Sequence, residues 1–338
     1  MKRVVESIVY RHRLFARTHS KYIISLIMTT ASIAASPAFA EVKVADFLEW
    51  ATPSQIAKVE KTYDQVIGEK VNWNFFSSGV EMTKGIIAGD VDIAFSQGMA
   101  PFVSAVNQNV PIKMVGIAVV YEAADDCIVR NALDINKDNA KALEGKKIAV
   151  PFNTMAEFGL RMTMRYLNVD IRKIQLVNAN PADAAFMLLE TEVDAACAFG
   201  ENSLSKMKRV GKPLLSGDEK RAAGIISFDV ISVTDKFARE KPEALRRFLQ
   251  VTADANAAFA KDQSKVGVIA KDAGMSVDKT ITQINSFTFP TVKQQLNAYF
   301  SDGGIATRLL PFMGKMFASE EYPEKSDYSR FIDTSFLK

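Results

Sequence analysis

From Val42 onward, short β-branched apolar runs alternate with longer stretches whose apolar residues recur every three or four positions. Few folds satisfy that pattern, because a period-two run and a period-3.6 run each expose one apolar face that the other must cover. Val42 to Phe47 reads as a strand. Gln55 to Ile67 reads as a helix, with Ile56, Val59, Tyr63 and Val66 at helical spacing, and Val71 to Phe76 returns to strand. Glu81 to Ala88 predicts a short helix stopped by Gly89, with strands at Val91 to Ser96 and Ile112 to Val120. This βαβαβ order implies a mostly parallel sheet with covering helices.

The order then restarts. Lys146 to Val150, Ile174 to Val177 and Val193 to Phe199 read as strands, with helices at Ala156 to Leu167 and Ala182 to Glu190. Gly89-Asp90-Val91-Asp92-Ile93-Ala94-Phe95 is echoed by Glu192-Val193-Asp194-Ala195-Ala196-Cys197-Ala198-Phe199. The match is short enough for chance and consistent with two similar α/β lobes. Cys127 to Val129 is the expected crossing strand into the second lobe, and Ile225 to Val233 the strand that returns. The rest is mainly helical: Pro242 to Lys261, Ser264 to Ala273, Val277 to Ser286, Val292 to Phe300, and Ala306 to Phe317 with Pro311 as a kink point. Two such lobes leave a cleft, and ligands of open α/β sheets bind beyond the carboxyl ends of the strands.

Charge and histidine divide the chain at residue 40. Six of the 42 basic residues but one of the 39 acidic residues lie before that point, leaving a net charge of −2 in residues 41–338. Tyr22 to Ala35 is apolar but shorter than the roughly 20 residues of a spanning helix. Ala38-Phe39-Ala40 is the small-x-small pattern of a signal-peptidase site, so residues 1–40 are expected to be a signal peptide cleaved after Ala40; an uncleaved anchor is the alternative. Both histidines, His12 and His19, lie in that leader. A chain without histidine cannot run a Ser-His-Asp or Cys-His mechanism and lacks the commonest metal ligand. The expectation is therefore binding, with no catalytic residue, metal or cofactor. The charge balance excludes a polycationic nucleic-acid surface. Cys127 and Cys197 sit in apolar strand-like runs, where one disulfide and two buried thiols are both open.

Five loops are placed to hold a ligand. Trp50 and Thr52 follow the first strand, Trp50 as an apolar wall, a cationic-group cap or a core residue. Ser78 and Gly79 open a helix, where N–H groups and partial positive charge suit an anion or a plain serine cap. Gln97, Gly98 and Met99 follow the strand through Phe95, Gly98 permitting close approach or making an ordinary turn. Thr154, Met155 and Glu157 open the second lobe's first helix, with Glu157 also placed for capping. Glu201 and Asp229 form the fifth place; a carboxylate at Asp229, inside an apolar strand, needs a cation from a ligand or from the protein.

The order and wording of several segments resemble the periplasmic substrate-binding proteins of taurine and aliphatic-sulfonate uptake. They are Ser77-Ser78-Gly79, Gly89 to Ala94, Lys147 to Phe152, Phe228-Asp229-Val230 followed by Lys236-Phe237-Ala238, Phe287 to Thr291 with Gln294-Gln295, and Asp327-Tyr328-Ser329. The resemblance runs from about Val42 to Phe336. It implies an α/β, two-lobed periplasmic-binding-protein (Venus-flytrap) fold with two crossing strands. Lobe 1 would take residues 41–125 and 226–338, and lobe 2 residues 126–225. It also implies a monomeric periplasmic protein that delivers a small-molecule ligand to the membrane permease of an ABC importer. In such proteins Ser78, Gly79, Gln97, Gly98 and Thr154 match sulfonate-holding positions, and Asp229 the position of the ligand's ammonium. Met99, Ala100, Met155, Ala156, Glu157 and Glu201 depart from the pattern, with fewer anion donors and more acids. The departures point to an amine-bearing or zwitterionic ligand, taurine or a related compound. Alternatives are a sensor partner and a pyrimidine-synthase-like enzyme, the latter dependent on histidine chemistry.

Overall fold

The computed structural model describes residues 41–338; the expected signal peptide and its cleavage point lie outside the described residues. The chain begins β1 (Val42–Asp46), α1 (Ser54–Val59), α2 (Thr62–Ile67), β2 (Val71–Phe75), α3 (Gly79–Ala88), β3 (Ile93–Gly98), α4 (Met99–Asn107) and β4 (Ile112–Tyr121). Its middle holds β5 (Asp125–Arg130), β6 (Lys147–Val150), α5 (Met155–Tyr166), β7 (Gln175–Asn178), α6 (Pro181–Leu189), β8 (Ala195–Phe199), α7 (Glu201–Met207), β9 (Gly211–Pro213) and α8 (Gly217–Ala222). β10 (Ser227–Thr234) follows, then α9 (Asp235–Glu240), α10 (Pro242–Lys261), α11 (Val266–Ala273), α12 (Val277–Asn285), α13 (Val292–Gln294) and α14 (Ile305–Met316).

The strands form two five-stranded sheets, β2-β1-β3-β10-β4 and β7-β6-β8-β5-β9. The α/β class follows the sequence pattern, and in each sheet four of the five strands run the same way with one strand reversed. β1 runs parallel to β2 and β3, and β6 to β7 and β8. β10 is antiparallel to both β3 and β4, and β5 to both β8 and β9. In each sheet the antiparallel strand is the one whose sequence pattern suggested a crossing. Apolar layers cover both faces. On the first sheet Met82, Phe102 and Leu310 pack on one side, and Tyr63, Phe248 and Leu249 on the other. The second sheet is covered by Leu160 and Met164 on one face, and Leu188 and Met207 on the other.

The echoed segments are structurally equivalent. Asp92 accepts the Lys43 N–H at 3.0 Å and Asp194 accepts the Lys147 N–H at 2.9 Å. Each aspartate thus ties the start of one parallel strand to its neighbour, β3 to β1 in the first sheet and β8 to β6 in the second.

Several local readings are corrected. The helix expected over Gln55 to Ile67 is broken at Lys61, which has φ +58°. Ser96 to Pro101 is no loop: β3 runs directly into α4, whose residues are all buried. Val292 to Phe300 keeps α13 for only three residues before a π turn, Gln295–Tyr299. α14 continues through Pro311. The short elements α7, α8, α9 and β9 carried too little periodicity to be read. Cys127 and Cys197, paired across β5 and β8, form a disulfide, which settles the question their positions left open.

Candidate functional site

Between the sheets lies a cleft of about 470 Å³. Phe47 to Trp50 leave β1, Phe75 to Ser77 leave β2, and Gly98 ends β3; Thr154 and Met155, Asn180 to Ala182, and Phe199 and Gly200 do the same beyond β6, β7 and β8. The parallel strands of both sheets therefore point their carboxyl ends into one space.

Asp229 is the hub of this space. Its side chain is buried, and its two oxygens accept from Ser96 Oγ at 2.8 Å and Tyr121 OH at 2.9 Å. Ser96 in turn accepts from Trp50 Nε1 at 2.9 Å, and Trp50 stands edge-on to Tyr121 with ring centroids 5.0 Å apart. Ser96 reaches Asp229 from a left-handed backbone position, φ +61°. β10 shifts register against β4 just beyond Asp229, and the Ile117 N–H beside the shift donates to Gln295 Oε1 at 2.9 Å. Gln295 also donates to Pro290 O at 3.0 Å, so the Phe287 to Gln295 motif props the irregularity that aims Asp229.

A second carboxylate, Asp125 at the start of β5, shares the cleft. Its oxygens lie 3.2 and 3.4 Å from Ser227 Oγ. The nearby ammonium of Lys220 binds the Asp126 carboxylate at 2.8 Å and only the backbone oxygen of Asp125. Burial pushes Asp229 up to about 8, against its two hydrogen bonds and with the charge of Asp125 adding to the rise. Burial likewise pushes Asp125 up to about 6, with the Lys220 charge opposing. Glu49 is the third acid of the lining, and among the described lining residues none is lysine or arginine.

Six of the twelve residues singled out from sequence line the cleft: Trp50, Gly79, Gly98, Thr154, Met155 and Asp229. The other six are engaged elsewhere. Thr52 pairs its hydroxyl with Ser54 at 2.7 Å, and Ser78 caps α3 by accepting the Glu81 N–H. Gln97 donates to Gly79 O and Thr83 and accepts from Ser232, while Met99, the first residue of α4, is fully buried in the core. Glu157 accepts the Asn153 N–H at 2.6 Å and pairs with Arg161; Glu201 pairs with Lys279 at 3.0 Å. Sequence reading missed Asp125 and Tyr121. Tyr121 and Asp125 lie at the ends of strands, and their convergence depends on the pairing of β10 with β4.

Helix starts around the cleft already hold acceptors. The Ala100 N–H of α4 lies 3.3 Å from Met155 Sδ, and Asn180 caps α6 at the Asp183 N–H. Glu49 reaches from the first sheet's side to the Asn202 N–H of α7 at 2.8 Å and also takes the Asn202 side-chain amide.

A family model described as NMT1/THI5 like matches residues 60–266. The chain belongs to that family. Among curated proteins it is 24% identical over 299 residues to the taurine-binding periplasmic protein of Escherichia coli (strain K12), covering 85% of this chain and 90% of that one. Among solved structures it is similar to the periplasmic aliphatic sulphonate binding protein SsuA from Escherichia coli, with TM-score 0.66, 17% identity and coverage of 86% and 90% of the two chains. The alkanesulfonate-binding protein SsuA from Xanthomonas axonopodis pv. citri bound to MOPS gives TM-score 0.64 at 15% identity, covering 87% and 98%. These structural likenesses establish the fold of this NMT1/THI5-like chain: the two-sheet α/β architecture is that of periplasmic binding proteins.

Proposed function

We propose that this protein is the periplasmic substrate-binding component of an ABC importer. It takes a small amine-bearing or zwitterionic solute, taurine or a related compound, into the cleft between lobe 1 (residues 41–125 and 226–338) and lobe 2 (residues 126–225). The observation that carries the reading is Asp229: a buried carboxylate, oriented by Ser96 and Tyr121, facing a cavity whose lining contains no basic side chain among the described residues. A ligand ammonium supplies the missing partner. The taurine-binding relative, which covers most of the chain, supports the transport role and the periplasmic location, and the basic leader supports export with cleavage after Ala40. Trp50 and Met155 form apolar wall, and Gly79, Gly98 and Thr154 bring backbone close to the solute. Closure of the lobes about the two connections presents a joint surface to the permease. Binding without covalent change is the role expected of a chain whose described residues include no histidine.

The test is a thermal-shift screen of the purified protein against taurine, amino acids, simple amines and alkanesulfonates, since a ligand that binds only the folded state raises Tm. At least one amine-bearing compound should shift Tm in the wild type and not in Asp229→Asn. A flat response to the whole set would sink the reading.

A further inference from the structure

Resting on that reading, we infer that among amine-bearing solutes the cleft prefers an organic cation, a protonated amine carried on an apolar or aromatic body, to a sulfonate such as taurine, with Asp125 as a second carboxylate beside Asp229. Three observations lead there.

The first is where the helix N-termini point their charge. Five helices begin at the cleft, and an anion would be held by their first N–H groups. In this chain four of the five starts, those of α3, α4, α6 and α7, meet an acceptor of the protein's own. Ser78 serves α3 through the Glu81 N–H, and Met155 Sδ sits against the Ala100 N–H of α4. Asn180 serves α6 and Glu49 serves α7, while at α5 the Glu157 carboxylate stands in the first turn and binds the Asn153 N–H just before the helix. Two of these acceptors are a sulfur and a carboxylate where a sulfonate oxygen would have to enter.

The second is the charge of the lining. Asp125 and Asp229 are both buried, and Glu49 stands at the rim. The Lys220 ammonium binds Asp126, so the described residues give the Asp125 carboxylate only the Ser227 hydroxyl at 3.2 Å. A protonated nitrogen has up to three N–H groups to divide between two carboxylates, and hydrogen bonds to charged groups are the strong ones.

The third is the wall. Phe47, Trp50, Phe75, Phe76, Tyr121 and Phe199 all line the cleft. Aromatic faces attract a cation and cover an apolar body, and the cleft, at about 470 Å³, is roomy enough for both. The raised protonation range of Asp229 agrees: burial favours its neutral form at neutral pH, and an ammonium would draw it into the charged one.

The experiment is isothermal titration of the purified protein with 2-phenylethylamine, n-butylamine, taurine and 1-propanesulfonate, repeated in Asp125→Asn and Asp229→Asn, with circular dichroism to confirm folding. The expected result is saturable binding of at least one of the two amines and none of 1-propanesulfonate. Either aspartate variant should weaken the amine by about tenfold or more. Titration in buffers of different ionisation enthalpy should show proton release on amine binding. Propanesulfonate or taurine binding more tightly than both amines would overturn the cation assignment while leaving the transport reading intact. So would amine affinity that is unchanged in a folded Asp125→Asn. Failure of all four compounds would count against the cation assignment, and a flat response in the wider screen above would take the transport reading with it.

Discussion

The two sheets share a plan and differ in how they are secured. Each places three parallel strands beside an antiparallel strand and a fifth, and each ties one parallel strand to its neighbour through an aspartate, Asp92 or Asp194. The first sheet has strands of up to ten residues and is backed by most of the C-terminal helices and by the tail, where Tyr328 donates to Asn107 at 2.6 Å. The second sheet is built from shorter strands, β9 having only three residues, and it carries the Cys127–Cys197 disulfide. A smaller core buries less apolar surface, and a crosslink makes up the difference by restricting the unfolded chain. The functional groups are also unequal: the first sheet and its loops bring Asp229, Glu49, Trp50 and Tyr121, whereas the second contributes Asp125 and the starts of α5, α6 and α7.

The largest effect should come from removing the crosslink. With the cysteines 70 positions apart, the double variant Cys127→Ser/Cys197→Ser is expected to lose about 4 kcal/mol by loop entropy. Hydrogen exchange should show β5 to β9 opening before β1 to β4; uniform loosening of both sheets would break the comparison.

Protonation gives the next test. The Asp229 carboxyl rises from 3.8 to about 8 on folding, so the unfolded chain ionises near pH 4 and the folded chain only near pH 8. Its contribution is therefore complete below about pH 4 and is lost as pH rises towards 8, with a slope of at most about 1.4 kcal/mol per pH unit. Denaturant melts of the unliganded protein across that window should show the decline, and Asp229→Asn should flatten it. An unchanged slope in the variant would assign the decline to other groups.

The matched clamps sharpen the comparison further. Asp92→Ala and Asp194→Ala each remove one strand-to-strand acceptor and should cost about 1–2 kcal/mol. The cost should be similar in size but local to opposite sheets in exchange experiments. A clamp whose loss is silent would mean that the echo is only a sequence coincidence.

The smallest effect belongs to the bridge across the cleft. Glu49→Ala removes the acceptor of the Asn202 N–H and should lower stability by about 1 kcal/mol or less. Gly200→Ala should act on the same contact, because Gly200 has φ +81° and an added Cβ would lie 3.0 Å from Glu49 Oε2. Melting curves of the two variants and of their combination should be non-additive if the bridge is one unit.

Much of the architecture was legible in residue order. Periodicity located all strands but β9 and most of the longer helices, because each needs an apolar face that recurs at its own spacing. The exception among helices of ordinary length was α4. Its residues, Met99 to Asn107, are buried on all sides, so the polar face that would have marked the period is missing. The direction of β5 and β10 was also beyond a local reading, since nothing in a short apolar run states which neighbour it will pair with.

The site divides along the same line. Sequence alone determined that an acid sits within an apolar strand at Asp229, that loops beyond strand ends surround it, and that histidine is absent after residue 19. Those are properties of composition and spacing. Only the tertiary structure decided that Asp125 joins Asp229, that Ser96 and Tyr121 orient it, and that Gln97, Met99, Glu157 and Glu201 turn away to other partners. Those outcomes depend on which strands pair and in what register, and on hydrogen bonds between residues as far as 135 positions apart. A carboxylate's position in sequence states its charge; the groups packed around it decide whether that charge is spent on the fold or left for a ligand.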